Sequence, residues 1–149
     1  MLTSKAKYGL KALIYLTAHR DRAVQGAEIA EEQNIPKKFL DAILLQLKND
    51  GMLTSRKGKG GGYRLAQAPE TIMSGRVVRL LDGPVAPIAC VSRTAYRRCD
   101  DCHDESNCGI RQVMQQVRDA IAAVLDSTSI ADMRAREAAG GQYIPMYEI

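Results

Sequence analysis

All four cysteines of this 149-residue chain lie within one stretch of nineteen residues, CVSRTAYRRCDDCHDESNC. They follow the spacing C-x8-C-x2-C-x5-C and are Cys90, Cys99, Cys102 and Cys108. Thiols at this density serve three kinds of chemistry in proteins: a structural zinc site, a thiol redox switch, and an iron–sulfur cluster. The stretch is therefore a candidate metal-binding or redox-sensing site.

The spacing of the cysteines narrows these alternatives only in part. Structural zinc sites are usually built from two close pairs of ligands, and only Cys99 and Cys102 form such a pair. A thiol switch would need two of the four cysteines, and Arg97 and Arg98 are available to lower the pKa of Cys99. An iron–sulfur cluster takes four ligands whose spacing can be irregular. Spacing alone therefore leaves zinc and iron–sulfur chemistry open.

The N-terminal sequence, MLTSKAKYGLKALIYLTAHRD, indicates the compartment in which these thiols work. Its apolar residues are interrupted by Lys5, Lys7 and Lys11, so it has neither a secretory signal nor a membrane-spanning length. We therefore expect a cytoplasmic protein with no membrane partner. Thiols there are normally kept reduced, which makes a structural disulfide the less favoured use of the cysteines.

Charge is distributed unevenly along the chain. Residues 1–66 carry twelve Lys or Arg and six Asp or Glu, a net charge of +6, whereas residues 67–149 carry nine and eleven, a net charge of −2. A basic first half is typical of a protein that binds a polyanion, although a solvated face without a partner would have the same composition. The chain contains no Ser-His-Asp, paired-carboxylate or zinc-protease motif, so we expect no enzyme activity.

The first half of the chain predicts three helices in a helix-turn-helix order. Thr3 or Ser4 can cap the first helix, and the second fits GAEIAEEQN. Asn34 then makes a turn, and Pro36 occupies the first position of the third helix, PKKFLDAILLQLKND, which Gly51 ends. The inward positions predicted by periodicity are Leu10, Leu13, Ile14 and Ala18 in the first helix, Ala27, Ile29 and Ala30 in the second, and Phe39, Leu40, Ile43, Leu44 and Leu47 in the third.

The remaining face of the third helix carries polar side chains at its start. A short helix, a tight turn and a longer helix with a basic beginning are typical of a motif whose second helix enters the major groove of DNA. We therefore predict that Lys37, Lys38 and Asp41 read bases, because lysine pairs with guanine acceptors and aspartate accepts from the cytosine amino group. For Asp41, a favourable interaction with the positive end of the helix is an equally good explanation.

The stretch MLTSRKGKGGGYRLA reads as two strands around a basic, glycine-rich tip, which is a β-hairpin wing. Arg56, Lys57 and Lys59 supply positive charge for phosphates, and Gly60 and Gly61 let the backbone approach a phosphate closely. A nucleotide-binding P-loop is the rival interpretation, but neither the glycine spacing nor the strand–helix context matches one.

After the last cysteine, GIRQVMQQVRDAIAAVLD predicts a rod of roughly 27 Å. An apolar stripe on a projecting helix of this length usually pairs with a second copy of itself, and packing on its own chain is the alternative. Ser129 and Asp132 form a capping pair for a final short helix. The stripe consists of Ile110, Val113, Met114, Val117, Ile121, Val124 and Leu125.

Three phrases together resemble one family of regulators: LTSKAKYGLKAL, GMLTSRKGKGGGYRLA, and the cysteine loop followed by a long helix. They are similar to those of the IscR/NsrR-type winged-helix repressors, the Rrf2 family, from the N-terminus to about Met133. The resemblance implies a mainly α fold with a small β-hairpin wing and a long dimerisation helix. It implies a homodimeric transcription factor on double-stranded DNA, with Tyr8 among the phosphate contacts.

The resemblance also implies an iron–sulfur cluster, 2Fe–2S or 4Fe–4S, that senses iron, redox state or nitric oxide. The three cysteines that family members use correspond to Cys90, Cys102 and Cys108. The usual fourth ligands are missing, because Arg111 replaces a histidine and no acidic residue lies between positions 5 and 11. Cys99 is then the expected fourth ligand, with His103 as the alternative. Zinc remains the alternative cofactor.

These patterns divide the chain into four expected parts. The DNA-binding domain spans residues 1–82 and the cysteine-rich loop residues 83–108. The dimerisation helix and the short C-terminal helix span residues 109–139, and residues 140–149 form a tail.

Overall fold

The computed structural model describes residues 2–140. Met1 and, apart from Gly140, the predicted tail lie outside the described residues. The predicted fold class is confirmed: helices dominate, and one antiparallel hairpin forms the wing. The elements are α1 (Ser4–Ala18), α2 (Gly26–Glu32), α3 (Lys37–Asn49), β1 (Leu53–Arg56), β2 (Gly62–Leu65), α4 (Ser74–Asp82), α5 (Gly109–Asp126) and α6 (Ile130–Ala138).

Local capping explains where several helices begin. The Thr3 side chain accepts from the backbone of Ala6 and caps α1. Pro36 takes the N-cap position of α3, so the helix begins at Lys37, one residue later than predicted. Ser129 and Asp132 form a complete capping box at α6, as predicted, and satisfy two backbone N–H groups that the helix itself leaves unpaired.

The core of the N-terminal half lies between α1, α2, α3 and the wing. Leu40, Ile43, Leu44 and Leu47 bury the inner face of α3, confirming most of the predicted stripe. Three predicted inward positions are wrong, because Ala18, Ala27 and Phe39 are exposed. Ala18 and Ala27 lie near helix ends. Phe39 lies about 100° around the helix from Leu40, outside the buried face of α3.

The wing is anchored at its base to the segment before α2. Its register pairs Leu53 with Leu65 and Arg56 with Gly62. Tyr63 exchanges two backbone hydrogen bonds with Val24, of 2.8 and 3.0 Å, which add a third short extended segment beside the hairpin. The wing is therefore held at a fixed position relative to the helix-turn-helix.

Helix α4, which the sequence did not predict, joins the two halves of the molecule. It packs against α1, and Ser74 at its start donates to the carbonyl of Leu125 at 2.8 Å. Arg79 forms a bidentate ion pair with Asp126, and its two terminal nitrogens lie 2.6 and 2.8 Å from the two carboxylate oxygens. The C-terminal end of α5 is thereby fixed to the DNA-binding half. Among residues 2–140, no helix combines the length and the apolar composition needed to cross a bilayer.

Candidate functional site

The predicted base-reading residues lie together at the exposed start of α3. Lys37, Lys38 and Asp41 are all exposed. The ammonium of Lys37 lies 2.8 and 2.9 Å from the two carboxylate oxygens of Asp41, and each side chain keeps about half of its surface in water, at 54% and 51%. An exposed pair at this spacing contributes only a few tenths of a kcal/mol, about 0.3 to 0.5. The pair can therefore open at little cost when a base edge competes for either partner.

We expect Asp41→Ala to relax base preference at one position of each half-site while raising affinity for random DNA. The carboxylate that accepts from a cytosine amino group is lost, and Lys37 is released to contact any phosphate. A binding selection on a random duplex library, compared with wild type, measures the preference. Lys37→Met is the matched variant, since it removes the other half of the pair. Unaltered base preference in Asp41→Ala would leave the aspartate with a purely local role in the helix.

Sequence reasoning missed a second feature of this surface, which is apolar. Phe39 is 67% exposed and Leu45 53% exposed on the outer side of α3. Burying a side chain of this size contributes about 1.5 to 3 kcal/mol, so leaving Phe39 in water forgoes that stabilisation. A strict count of helical angle would have separated Phe39 from the inward stripe at Leu40, Ile43, Leu44 and Leu47.

The wing places its basic side chains in solvent around a tightly built tip. Arg56, Lys57 and Lys59 are exposed, and Gly60 has a positive φ of 73° with open space around it. Gly61 is buried, and a Cβ there would overlap the carbonyl oxygens of Arg56 and Gly58. The amide of Gln25, at the start of α2, donates to the Gly61 carbonyl at 3.0 Å. The wing tip is therefore fixed relative to the helix-turn-helix.

We expect Lys59→Ala to weaken specific and random DNA alike and to flatten the dependence of log affinity on log salt by about one unit. An exposed lysine at the wing tip can contact a phosphate, and such a contact carries no sequence information. Titrations from low to high salt on a specific and a random duplex give the slope. An unchanged slope would remove Lys59 from the interface. Glu70→Gln, an exposed charge change outside the predicted interface, is the control.

Tyr8, which the family resemblance placed among the phosphate contacts, lies on α1. Its ring is half-buried against the core, and the ammonium of Lys7 lies 5.5 Å from the ring centroid. Its role in DNA binding stays a prediction, as do the roles of the α3 and wing residues.

The cysteine loop begins in the core at Cys90 and ends at Cys108, at the start of α5. Cys90 is buried in a short 3-10 turn, Ala89–Val91, whereas Cys99, Cys102 and Cys108 are half-buried. The sulfur of Cys108 caps α5 and accepts from the backbone N–H of Arg111 at 3.4 Å. Between these two anchors most side chains are exposed.

The structure brings two of the four thiols together. The neighbouring Cys90 thiol, together with partial burial, raises the pKa of Cys99. The predicted lowering by Arg97 and Arg98 is wrong: Arg98 donates to the carbonyls of Cys102 and His103 instead. Within the described part of the chain, no three Cys, His, Asp or Glu side chains converge as metal ligands.

The donor set nevertheless has the chemistry of an iron–sulfur site. The four sulfurs belong to one loop, and the exposed side chains of that loop do not fix it in the core. Four thiolates on one adjustable loop suit a cluster, because ligation by four cysteines tolerates irregular spacing. The residues present therefore fit such a group in type and number.

Two arginines of α5 clamp the first anchor of the loop. Arg118 is the buried residue of this helix, and its guanidinium donates to the carbonyl of Val91 at 2.5 Å and to Asp119 at 2.6 and 2.9 Å. Arg118 thereby holds the pKa of Asp119 below its usual range. Arg111 donates to the carbonyl of Cys90 at 3.4 Å. Both ends of the loop thus rest on α5, between its N-terminus and its middle.

The apolar stripe of α5 is largely uncovered. Five of its members are exposed, whereas Met114 and Leu125, predicted in the same stripe, face their own chain and are half-buried. Val117, Ile121 and Leu125 of the stripe line an apolar groove of about 640 Å³ between α5, α4, residues 83–87 and residues 2–3. The exposed members are Ile110 (69%), Val113 (53%), Val117 (38%), Ile121 (39%) and Val124 (63%).

The helix-turn-helix, the wing and the projecting α5 define a winged-helix transcriptional regulator. Residues 2–136 match the sequence model of the Rrf2 family, described as an iron-dependent transcriptional regulator. The chain belongs to the Rrf2 family of transcriptional regulators, which confirms the family resemblance seen in the sequence.

Individual relatives agree with this assignment. An HTH-type regulator of Rhodobacter capsulatus, called rrf2-like, is 45% identical over 139 residues, covering 91% of this chain and 93% of the relative. CymR, the global cysteine regulator of B. subtilis, has a TM-score of 0.76 at 29% identity, covering 91% of this chain and 96% of its own. T. potens IscR has a TM-score of 0.73 at 28% identity, covering 99% and 96%. These relatives are transcriptional regulators, so the chain is a regulator and not an enzyme.

Proposed function

We propose that the protein is a homodimeric, DNA-binding transcriptional repressor whose cysteine loop senses iron, redox state or nitric oxide through an iron–sulfur cluster. The single observation that carries this proposal is the attachment of the loop. Both of its ends are held on α5, through Arg118 to Val91 and through the Cys108 cap. A change at the thiols therefore acts on the same helix that carries the exposed apolar stripe.

The dimer follows from that stripe. Two-fold pairing is the commonest closed symmetry, and pairing two copies of α5 buries the same side chains on both. Each copy then contributes one helix-turn-helix, and successive major grooves on one side of DNA are about 34 Å apart. A small change in the separation of the two α3 helices therefore lowers affinity for a specific site.

The residues that would hold the cluster are Cys90, Cys99, Cys102 and Cys108. When bound, it would supply iron and sulfide that iron shortage, oxidants or nitric oxide can remove or alter. The family description as iron-dependent regulators supports this choice, as does the similarity to IscR.

The chain's own residues connect the loop to the DNA-binding half. Arg118 and Arg111 position the start of the loop on α5. Arg79 and Ser74 fix the end of α5 to α4, which packs on α1. A movement of the first turn of α5 is therefore transmitted through packed helices to α3. The loop then changes the relative populations of different dimer geometries and removes no DNA contact.

A second candidate function uses the same loop without iron. The proximity of the thiols of Cys90 and Cys99 favours a disulfide switch. In that reaction hydrogen peroxide takes two electrons and two protons from the thiols, giving one disulfide and two waters. The similarity to CymR, a global cysteine regulator, supports thiol-linked sensing. A zinc ion held by the same thiols is the remaining alternative.

Anaerobic purification followed by metal analysis distinguishes these functions. Iron and sulfide in equal amounts, with visible absorption, are expected for the proposed regulator, because zinc sites and disulfides are colourless. DNA binding is then compared before and after cluster removal by a chelator. Stoichiometric zinc without iron would overturn the cluster and leave a winged-helix regulator with a structural metal loop.

A further inference from the structure

A strip of apolar side chains lies on the outer face of α3 beside its basic start. It consists of Phe39, Ala42 and Leu45, spaced three residues apart and all exposed. We call it the apolar strip. The opposite side of α3 packs into the core, so these three residues do not contribute to the packing of the core.

The apolar strip divides the outer face of α3 into two chemically different sides. Lys37 and Asp41, paired at 2.8 Å, form the polar side. Lys38 lies between that pair and Phe39, in the first turn. Together with the basic wing tip, these positive charges around the strip match a nucleic acid better than a protein partner of neutral surface.

Major-groove chemistry identifies what an apolar side chain at this place can contact. Base edges there present hydrogen-bond donors and acceptors, and their one apolar group is the C5-methyl of thymine. Phe39 has no hydrogen-bonding group and a large ring. It lies in the first turn of α3, the part of a recognition helix that reaches base edges first. Leu45 lies about 9 Å further along the helix axis.

We propose that Phe39 is a specificity-determining residue that contacts a thymine methyl group in each DNA half-site. The inference rests on the proposed DNA-binding function and extends it to one base. The polar side of α3 then reads hydrogen-bonding edges, and Phe39 distinguishes thymine from cytosine by the methyl group.

The test is a double-mutant cycle between protein and DNA. Wild-type protein first selects its site from a random duplex library. Each thymine of that site is then replaced, one at a time, by deoxyuridine, which lacks the methyl group and keeps the base pair. At one thymine of each half-site, the replacement should weaken wild-type binding by about fourfold, the effect of one buried methyl group, and should leave Phe39→Ala unaffected.

Two further variants test whether the coupling to the thymine methyl group depends on the aromatic ring of Phe39. Lys59→Ala should weaken all duplexes and show the same fourfold sensitivity to deoxyuridine as wild type. Phe39→Tyr keeps the ring and should keep the coupling. Circular dichroism establishes that Phe39→Ala is folded, as expected for a side chain that is 67% exposed.

The outcomes separate this inference from the function on which it rests. If wild type selects a site but Phe39→Ala and deoxyuridine act independently at every thymine, the thymine contact is overturned and DNA binding stands. The thymine contact is also overturned if Phe39→Ala changes only the oligomeric state, since the strip would then contact protein. If wild type enriches no sequence at all, the proposed function fails and this inference fails with it.

Discussion

Cys102→Ala and Cys108→Ser are each expected to abolish the visible absorption of the anaerobically purified protein. Both residues are predicted ligands of one cluster, and removing a thiolate leaves an iron site that water fills poorly. Cys108→Ser is the cleaner variant, because the Cys108 sulfur also caps α5 and serine is a strong N-cap residue. Helix content should therefore stay unchanged while the chromophore is lost. Iron and sulfide analysis gives the occupancy.

Cys99→Ser distinguishes the possible fourth ligands. If Cys99 completes the set, the cluster should be lost or should decay faster in air than in wild type. His103→Ala is the matched variant, since it removes the alternative ligand from the same exposed loop. Full occupancy and an unaltered spectrum in Cys99→Ser would place the fourth ligand elsewhere.

Oxidation of the apoprotein tests the disulfide alternative. Treatment of apoprotein with peroxide should then join Cys90 to Cys99, whose thiols are neighbours in the loop. Peptide mass analysis would find the linked pair with two hydrogens fewer. Such a link in a protein isolated without iron would favour the thiol switch over the cluster.

The fold was predictable where apolar periodicity is long and unbroken. Helix α5 was predicted to its ends, because a stripe at helical spacing runs between the Cys108 cap and Asp126. The wing was predicted from its glycines. Helix α4 was missed, since it is only nine residues long and follows a turn without a strong cap. Phe39 was predicted inward from its hydrophobicity, whereas its angle around α3 places it outside the buried stripe.

The candidate sites were predictable as residue types and less so as an arrangement. The exposed positions of Lys37, Lys38 and the wing cations follow from the faces that the core leaves free. The arrangement of the four thiols does not follow from spacing, because few buried side chains fix the loop between its anchors. The clamp by Arg118 was also not predictable. A buried arginine in a helix whose other arginine and glutamine side chains are mostly exposed gives no signal until its carbonyl partner, Val91, is known.

Val113→Asp is expected to convert the dimer into monomers and to lower specific DNA affinity by at least about a hundredfold. In the proposed two-fold interface, each copy would bury a carboxylate without a partner, at a cost of about 3 kcal/mol or more. Val113 is 53% exposed within one chain, so the fold of that chain should be unaffected. Sedimentation measures the mass, and binding to one and two half-sites measures the loss of bivalence.

Gln115→Asp is the matched control for this substitution. It introduces the same charge two residues away, at an exposed position on the side of α5 opposite the stripe. This variant should remain dimeric and bind specific DNA nearly as wild type does. If Val113→Asp also remained dimeric at micromolar concentration, the stripe would not be the dimer interface. The clamped cysteine loop would then act within one chain, and the separation of two α3 helices could not be the quantity that it controls.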